Sequence, residues 1–124
     1  FDEARGEGLD VQAAVDEIVR RGLPDPWLVG WSFGTDVILK HAEIAPVRGA
    51  ILLSPPLRYT TDAELARWAE SGRSLVCLVP ELDDYLVPGR AQAVEAALGW
   101  VRPFWPWEHV IGRMLSFCAC IVAA

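Results

Sequence analysis

The chain has 124 residues, of which 52% are hydrophobic, and a net charge of −6. This length suits one domain, and the apolar fraction is high enough for a packed core, which excludes wholesale disorder. The acidic balance argues against nucleic acid or an anionic membrane surface as the main partner. The three cysteines are Cys77, Cys118 and Cys120, an odd number, and no nearby His or Cys completes a set of zinc ligands with them. We therefore expect reduced thiols, a cytoplasmic location, and neither a metal site nor a cofactor.

Helical repeats and apolar runs alternate along the chain. Strands are expected over 27–30, 49–54 and 74–80. Helices are expected from the cap Asp10 to Arg21, over 35–42 and over 90–98. A further helix begins with the capping pair Thr61 and Glu64 and ends at Ser71-Gly72. Strands that are apolar throughout are buried on both faces. The predicted fold class is therefore α/β, a parallel sheet with helices on both faces, in one domain over 1–124.

Both ends of the chain are atypical. Residues 1–7 have no initiating methionine and no apolar stretch, so we expect the middle of a longer protein, not a signal peptide. Residues 99–124 change in composition, and their proline-rich start belongs at a sheet edge or in a loop. The apolar run 114–124 is shorter than the about 20 residues that span a bilayer, so we expect a buried terminal helix, with a membrane anchor as the remote alternative. A divergent end and a shifted reading frame both explain 99–124.

A strand-to-helix turn carries the motif Gly30-Trp31-Ser32-Phe33-Gly34. In a nucleophile elbow of this pattern, the serine is held on a strained turn, and the flanking glycines avoid clashes within it. The helix that follows directs its first N–H groups toward an oxyanion, and the Phe33 N–H is the expected donor. The alternative is an ordinary turn in which Ser32 caps the helix.

Three segments together resemble the α/β-hydrolase family. They are 28–34 (LVGWSFG), 49–56 (GAILLSPP) and 79–88 (VPELDDYLVP). The resemblance covers about residues 10–98 and is closest to small, lidless members similar to dienelactone hydrolases and esterases. It implies a partial fold that lacks the amino-terminal strands, an open edge at 27–29, and no loop for a second oxyanion donor.

The same resemblance implies a Ser-Asp-His triad. The third segment matches the acid loop of the family, which makes Asp84 the triad acid and Asp83 the alternative; both also fit a turn without a role. His109, which follows Asp84 by 25 residues, is the expected histidine, and a surface histidine in an irregular tail is the alternative. His41 precedes the acid, which is the wrong chain order, and is expected on the surface.

These residues predict hydrolysis of a carboxylic ester or related small acyl compound. Ser32 attacks, His109 transfers the proton, and Asp84 orients the histidine. A non-catalytic, truncated relative that serves as an interaction module or is a gene remnant is the first alternative, so activity of the chain stays open at this point. A nucleotide-binding domain is the second, disfavoured because the motif lacks a P-loop lysine and dinucleotide spacing. Nothing in the sequence indicates an oligomeric state.

Overall fold

The structure is a computed structural model that describes residues 4–79 and, by backbone alone, residues 101–103. Its elements are α1 (Glu7–Arg20), β1 (Trp27–Trp31), α2 (Phe33–His41), β2 (Gly49–Leu53), α3 (Asp62–Glu70), β3 (Ser74–Val79) and β4 (Val101–Pro103). These strands form one parallel sheet in the order β1-β2-β3-β4. The α/β class with a parallel sheet is therefore confirmed. The helix predicted over 90–98, the acid loop and the chain after 103 lie outside the described residues.

The strand register brings the ends of three strands to a common edge. Trp31, Leu53 and Leu78 are partners across β1, β2 and β3 near their carboxyl ends. Two backbone hydrogen bonds continue the ladder beyond the strands, from Ser32 N to the Leu53 carbonyl (2.9 Å) and from Ser54 N to the Leu78 carbonyl (2.8 Å). The residues that follow β1 and β2 are thus held side by side. In the described sheet β1 lies at one edge.

One face of the sheet packs against helices. The core there combines residues of α2, α3 and the strands: Ile38, Leu39, Ala42, Ala50, Leu52, Leu57, Leu65, Trp68, Leu75 and Cys77. The opposite face carries Val29 and Val76, which are 42% and 38% exposed. Helices on both faces were expected, but the described helices cover one face. An apolar strand shows that both its faces are suited to burial, without showing which element covers each.

Trp68 ties α3 to α2 inside this core. Its indole Nε1 donates to the Leu39 carbonyl at 3.1 Å, and the ring is fully buried. A buried tryptophan needs such a partner, because an unpaired N–H would offset part of the gain from burying the ring. The thiol of Cys77 lies in the same core, and burial raises its pKa to about 12. Cys77 is therefore a protonated core residue with no disulfide.

Two helix starts differ from the sequence predictions. α1 begins at Glu7 with Gly6 at its N-cap, so Asp10 lies in the first turn and does not cap the helix. A carboxylate in the first turn is favoured by the helix dipole much as a cap is, which makes the two positions hard to distinguish in a sequence. α2 begins at Phe33, two residues early, because the tight turn at Ser32 leads from strand to helix without a connection.

The start of α3 agrees with the prediction and also connects to α2. Thr61 and Glu64 form the expected capping box. The Glu64 carboxylate accepts from the Thr61 N–H (2.6 Å) and from Lys40 Nζ of α2 (3.0 Å). Burial alone would raise the pKa of Glu64, but the hydrogen bonds from Thr61 and Lys40 outweigh it and hold the pKa below its usual value. The charged carboxylate therefore stabilises the packing of α3 on α2.

Glu64→Gln is expected to lower the free energy of unfolding at neutral pH by about 2 kcal/mol, because the amide leaves the half-buried Lys40 without a counter-charge. The pKa of Glu64 is lower in the folded than in the unfolded chain. Its stabilising effect is therefore present above the unfolded pKa and lost as pH falls through the folded pKa. Urea denaturation at neutral pH and at about pH 3 checks this, and the variant should approach the wild type in acid.

The matched control is Glu70→Gln at the exposed end of the same helix. It should stay within about 0.5 kcal/mol of the wild type at both pH values. A loss for Glu64→Gln that is the same at neutral and acid pH would show that the charge of this carboxylate does not matter.

Candidate functional site

Ser32 lies at the carboxyl end of β1, directly before α2, with φ 50° and ψ −121°. A positive φ is uncommon outside glycine, and such strain costs on the order of 1–3 kcal/mol. The turn is held from two sides. The Ser32 N–H donates to the Leu53 carbonyl (2.9 Å), and the Ser32 carbonyl accepts from the N–H (2.9 Å) and hydroxyl (2.6 Å) of Thr35. These bonds fix the strained backbone while the serine itself stays exposed.

The Ser32 hydroxyl does not act as a helix cap. Ser32 occupies the N-cap position of α2, but its side chain makes no capping hydrogen bond. An N-cap serine ordinarily has β-region backbone and accepts from an N–H two or three residues on. Neither feature is present, so the structure does not favour the capping alternative.

The two glycines of the motif differ in what they leave room for. A Cβ at Gly30 would lie 2.8 Å from the Gly34 carbonyl oxygen and 2.8 Å from Ile38 Cδ1. Gly30 therefore permits a close backbone approach that no side chain allows. Among the described residues, a Cβ at Gly34 would meet no heavy atom within 4 Å outside its own helix. The crowding expected at both glycines is therefore seen at Gly30 alone in this part of the chain, because the Gly34 backbone, and not its Cα substituent, faces the Gly30 side of the turn.

Aromatic residues precede and follow the exposed serine along the chain. Trp31 precedes it and is 69% exposed. Phe33 follows it as the first residue of α2, which places its N–H at the positive end of the helix dipole. The Phe33 ring meets Tyr59 edge to face, with centroids 6.0 Å apart and an interplanar angle of 86°. Tyr59 comes from the β2–α3 loop, residues 54–60, which leaves the same sheet edge.

Asp36 is a buried carboxylate one helical turn after Ser32, and its side chain contacts the β2–α3 loop. Its Oδ1 accepts from the Tyr59 N–H (3.1 Å) and from the Thr60 hydroxyl (2.6 Å). Its Oδ2 has no partner among the described residues. Sequence reasoning missed Asp36, which there looked like an ordinary polar residue of a helix. The available signal was a Thr35-Asp36 pair directly after the motif.

His41 is not the surface residue that was expected. Its Nε2 donates to the Ala4 carbonyl at 2.6 Å, and a Cβ at Gly8 would lie only 2.7 Å from its ring. The imidazole therefore fills the space that Gly8 leaves between α1 and α2. His41 ends α2, about 13 Å along the helix from Ser32, and so lies away from the serine. Asp83, Asp84 and His109 lie outside the described residues, and their roles stay predictions.

A cavity of about 600 Å³ opens at the other end of the sheet. It is lined by Asp25, Trp27, Ala45, Pro46, Val47, Arg48, Ser71, Gly72, Arg73 and Ser74. Trp27 and Ser74 begin their strands, so the cavity lies about 15 Å along β1 from Ser32. It is therefore not part of the serine site. Over residues 4–79 and 101–103, no group of His, Cys, Asp and Glu is placed to hold a metal ion.

None of the helices within residues 4–79 is both long and apolar enough to cross a membrane.

Comparison with known proteins found no match to the chain, whether among protein-family models, curated proteins or solved structures.

Proposed function

We propose that the chain is a serine hydrolase of the α/β-hydrolase family that acts on carboxylic esters or related acyl compounds, with Ser32 as nucleophile. The backbone of Ser32, with φ 50° between a parallel strand and a helix, is the observation that carries the proposal. Strain of this kind persists only where the surrounding structure imposes it, and it clusters at active sites. The exposed hydroxyl, which is not used as a cap, adds to this support.

The proposed reaction begins with attack of the Ser32 hydroxyl oxygen on the acyl carbon. The Phe33 N–H, at the start of α2, donates to the oxyanion that forms. His109 takes the proton of the serine and passes it to the leaving alcohol, while Asp84 orients the imidazole. Water then hydrolyses the acyl-enzyme by the same steps. The roles of Asp84 and His109 rest on the sequence resemblance alone.

The substrate proposed is a small or exposed acyl compound. The connection from β2 to β3 consists of the β2–α3 loop, α3 and a short turn, and it contains no large lid over Ser32. Trp31 and Phe33 flank the serine along the chain, and the Tyr59 ring contacts Phe33. We therefore propose an apolar group on the ester.

Labelling of the full 124-residue chain with a fluorophosphonate probe tests this function. The wild type should form a covalent adduct, and Ser32→Ala should react at least about 1000-fold more slowly, since the serine oxygen is the attacking atom. Ser74→Ala is the matched control, because Ser74 is an exposed serine at the opposite sheet edge, and it should react like the wild type.

Circular dichroism should first show that each variant is folded. A folded wild type that forms no adduct, or one labelled equally in Ser32→Ala, would overturn the proposal. The first of these results would favour the non-catalytic alternative, a truncated relative that serves as an interaction module or is a gene remnant.

A further inference from the structure

The β2–α3 loop is the second element at the carboxyl edge, beside Ser32. It begins at Ser54, whose N–H is bonded to the Leu78 carbonyl. Pro55 and Leu57 are buried, and Leu57 adopts a positive φ of 47°. The middle of the loop is therefore turned into the core. Its last residues, Tyr59 and Thr60, run back over the start of α2.

The Asp36 side chain on α2 is hydrogen-bonded to these last loop residues. One carboxylate oxygen accepts from the Tyr59 backbone and from the Thr60 hydroxyl, which joins α2 to two successive loop residues. The Tyr59 ring then rests against Phe33, the residue after Ser32. The Tyr59 ring thus contacts the residue that follows Ser32, and its position is linked to the hydrogen bonds of Asp36.

Packing alone gives no reason for a carboxylate at this position. Asp36 is 0% exposed, and only one of its oxygens has partners among the described residues. Burial of a carboxylate is destabilising unless hydrogen bonds compensate, and apolar residues of similar volume at such a position are often as stable or more stable. A carboxylate kept here at that cost points to a role in placing the loop.

We propose that Tyr59 is a wall of the acyl site that limits the size of the group entering beside Ser32, and that Asp36 is the positioning residue that holds this wall. The proposal rests on the proposed role of Ser32 as nucleophile. The turn at Ser32 is itself held by Leu53 and Thr35. Loss of the Asp36 bonds therefore moves the wall and leaves the attacking serine in place, so selectivity changes more than reactivity.

The experiment compares two fluorophosphonate probes, one with a small alkyl group and one with a bulky aryl group, on the full chain. The measured quantity is the ratio of their labelling rates, bulky over small, which does not depend on the fraction of folded protein. Tyr59→Ala should raise this ratio about 10-fold, since a pocket wall discriminates groups by at least that factor. Thr60→Val, which keeps the side-chain shape but removes the hydroxyl, should raise it severalfold.

Two controls separate positioning from general loosening. Thr60→Ser keeps the hydroxyl that donates to Asp36 and should retain the wild-type ratio. Thr61→Ala removes the cap of α3 next to the loop, and it should lower the urea midpoint with no change in the ratio. Asp36→Asn is the direct variant, and Thr60→Val replaces it where the buried amide prevents folding.

The outcomes distinguish this inference from the function on which it rests. No labelling of the wild type by either probe means that the proposed function fails, and the inference fails with it. If Tyr59→Ala is labelled with an unchanged ratio of bulky to small probe, Tyr59 is not a wall of the acyl site, while Ser32 remains the nucleophile. A raised ratio in Tyr59→Ala but not in Thr60→Val, or an equal rise in Thr61→Ala, overturns the positioning role of Asp36.

Discussion

Gly30→Ala should lower the free energy of unfolding by about 3 kcal/mol, near the upper end of the range for overpacking in a core. The new methyl group would lie 2.8 Å from the Gly34 carbonyl oxygen and from Ile38 Cδ1. Ile38 can adjust, but the carbonyl belongs to the first turn of α2 and can move only with the helix. The shift would displace Ser32, so labelling by a fluorophosphonate should fall together with stability.

Gly34→Ala is the matched control, and the expected result has the opposite sign. No atom of the described residues beyond its own helix lies within 4 Å of a Cβ there, and alanine favours a helix over glycine by up to about 1 kcal/mol. Gly34→Ala should therefore be as stable as the wild type or slightly more stable, and it should still be labelled. Urea denaturation measures the two variants side by side. Equal losses would mean that the motif needs both glycines for backbone freedom, and that the close approach at Gly30 is not the cause.

The sheet was predictable because its signals are local. The apolar runs at β1, β2 and β3 are bounded by prolines and glycines, and the predicted limits agree with the structure to within one residue. The capping box at Thr61 and Glu64 is complete within four residues of sequence. Ser32 could be singled out for the same reason, because a nucleophile elbow is defined by five consecutive residues.

Features that depend on distant partners were missed. Asp36 is explained by Tyr59 and Thr60, which are 23 and 24 residues further along the chain. His41 is explained by Ala4, 37 residues earlier, and by the space that Gly8 leaves. No sequence pattern indicates these contacts. The contact of Asp36 forms only when α2 packs on the loop, and that of His41 forms only when α2 packs on α1.

The sequence therefore predicts some features of the serine site and not others. The turn at Ser32 has the strained backbone that the motif predicts, and Gly30 has the crowding that it predicts. Gly34 does not, because a sequence pattern cannot show which of two glycines faces the contact. Asp84 and His109 stay predictions, since they come from the resemblance and lie outside the described residues.

Ser32→Gly should abolish labelling and at the same time raise the free energy of unfolding by about 1 kcal/mol. Glycine adopts φ 50° and ψ −121° without the steric cost that a Cβ imposes. Relief of about 1–3 kcal/mol of strain is partly offset by about 0.5–1 kcal/mol of added freedom in the unfolded chain. A gain in stability on removal of the nucleophile is expected where an active site is held in a strained form.

Ser32→Ala separates the backbone from the hydroxyl. Alanine also removes the nucleophile, but it keeps the Cβ and therefore the strain, so its stability should stay within about 0.5 kcal/mol of the wild type. Thermal and urea denaturation of the three proteins at one pH give the comparison. If alanine stabilises the chain as much as glycine does, the gain comes from loss of the hydroxyl, and the Ser32 backbone stores no strain. A gain confined to glycine shows that the fold holds Ser32 in this conformation at a cost to its own stability.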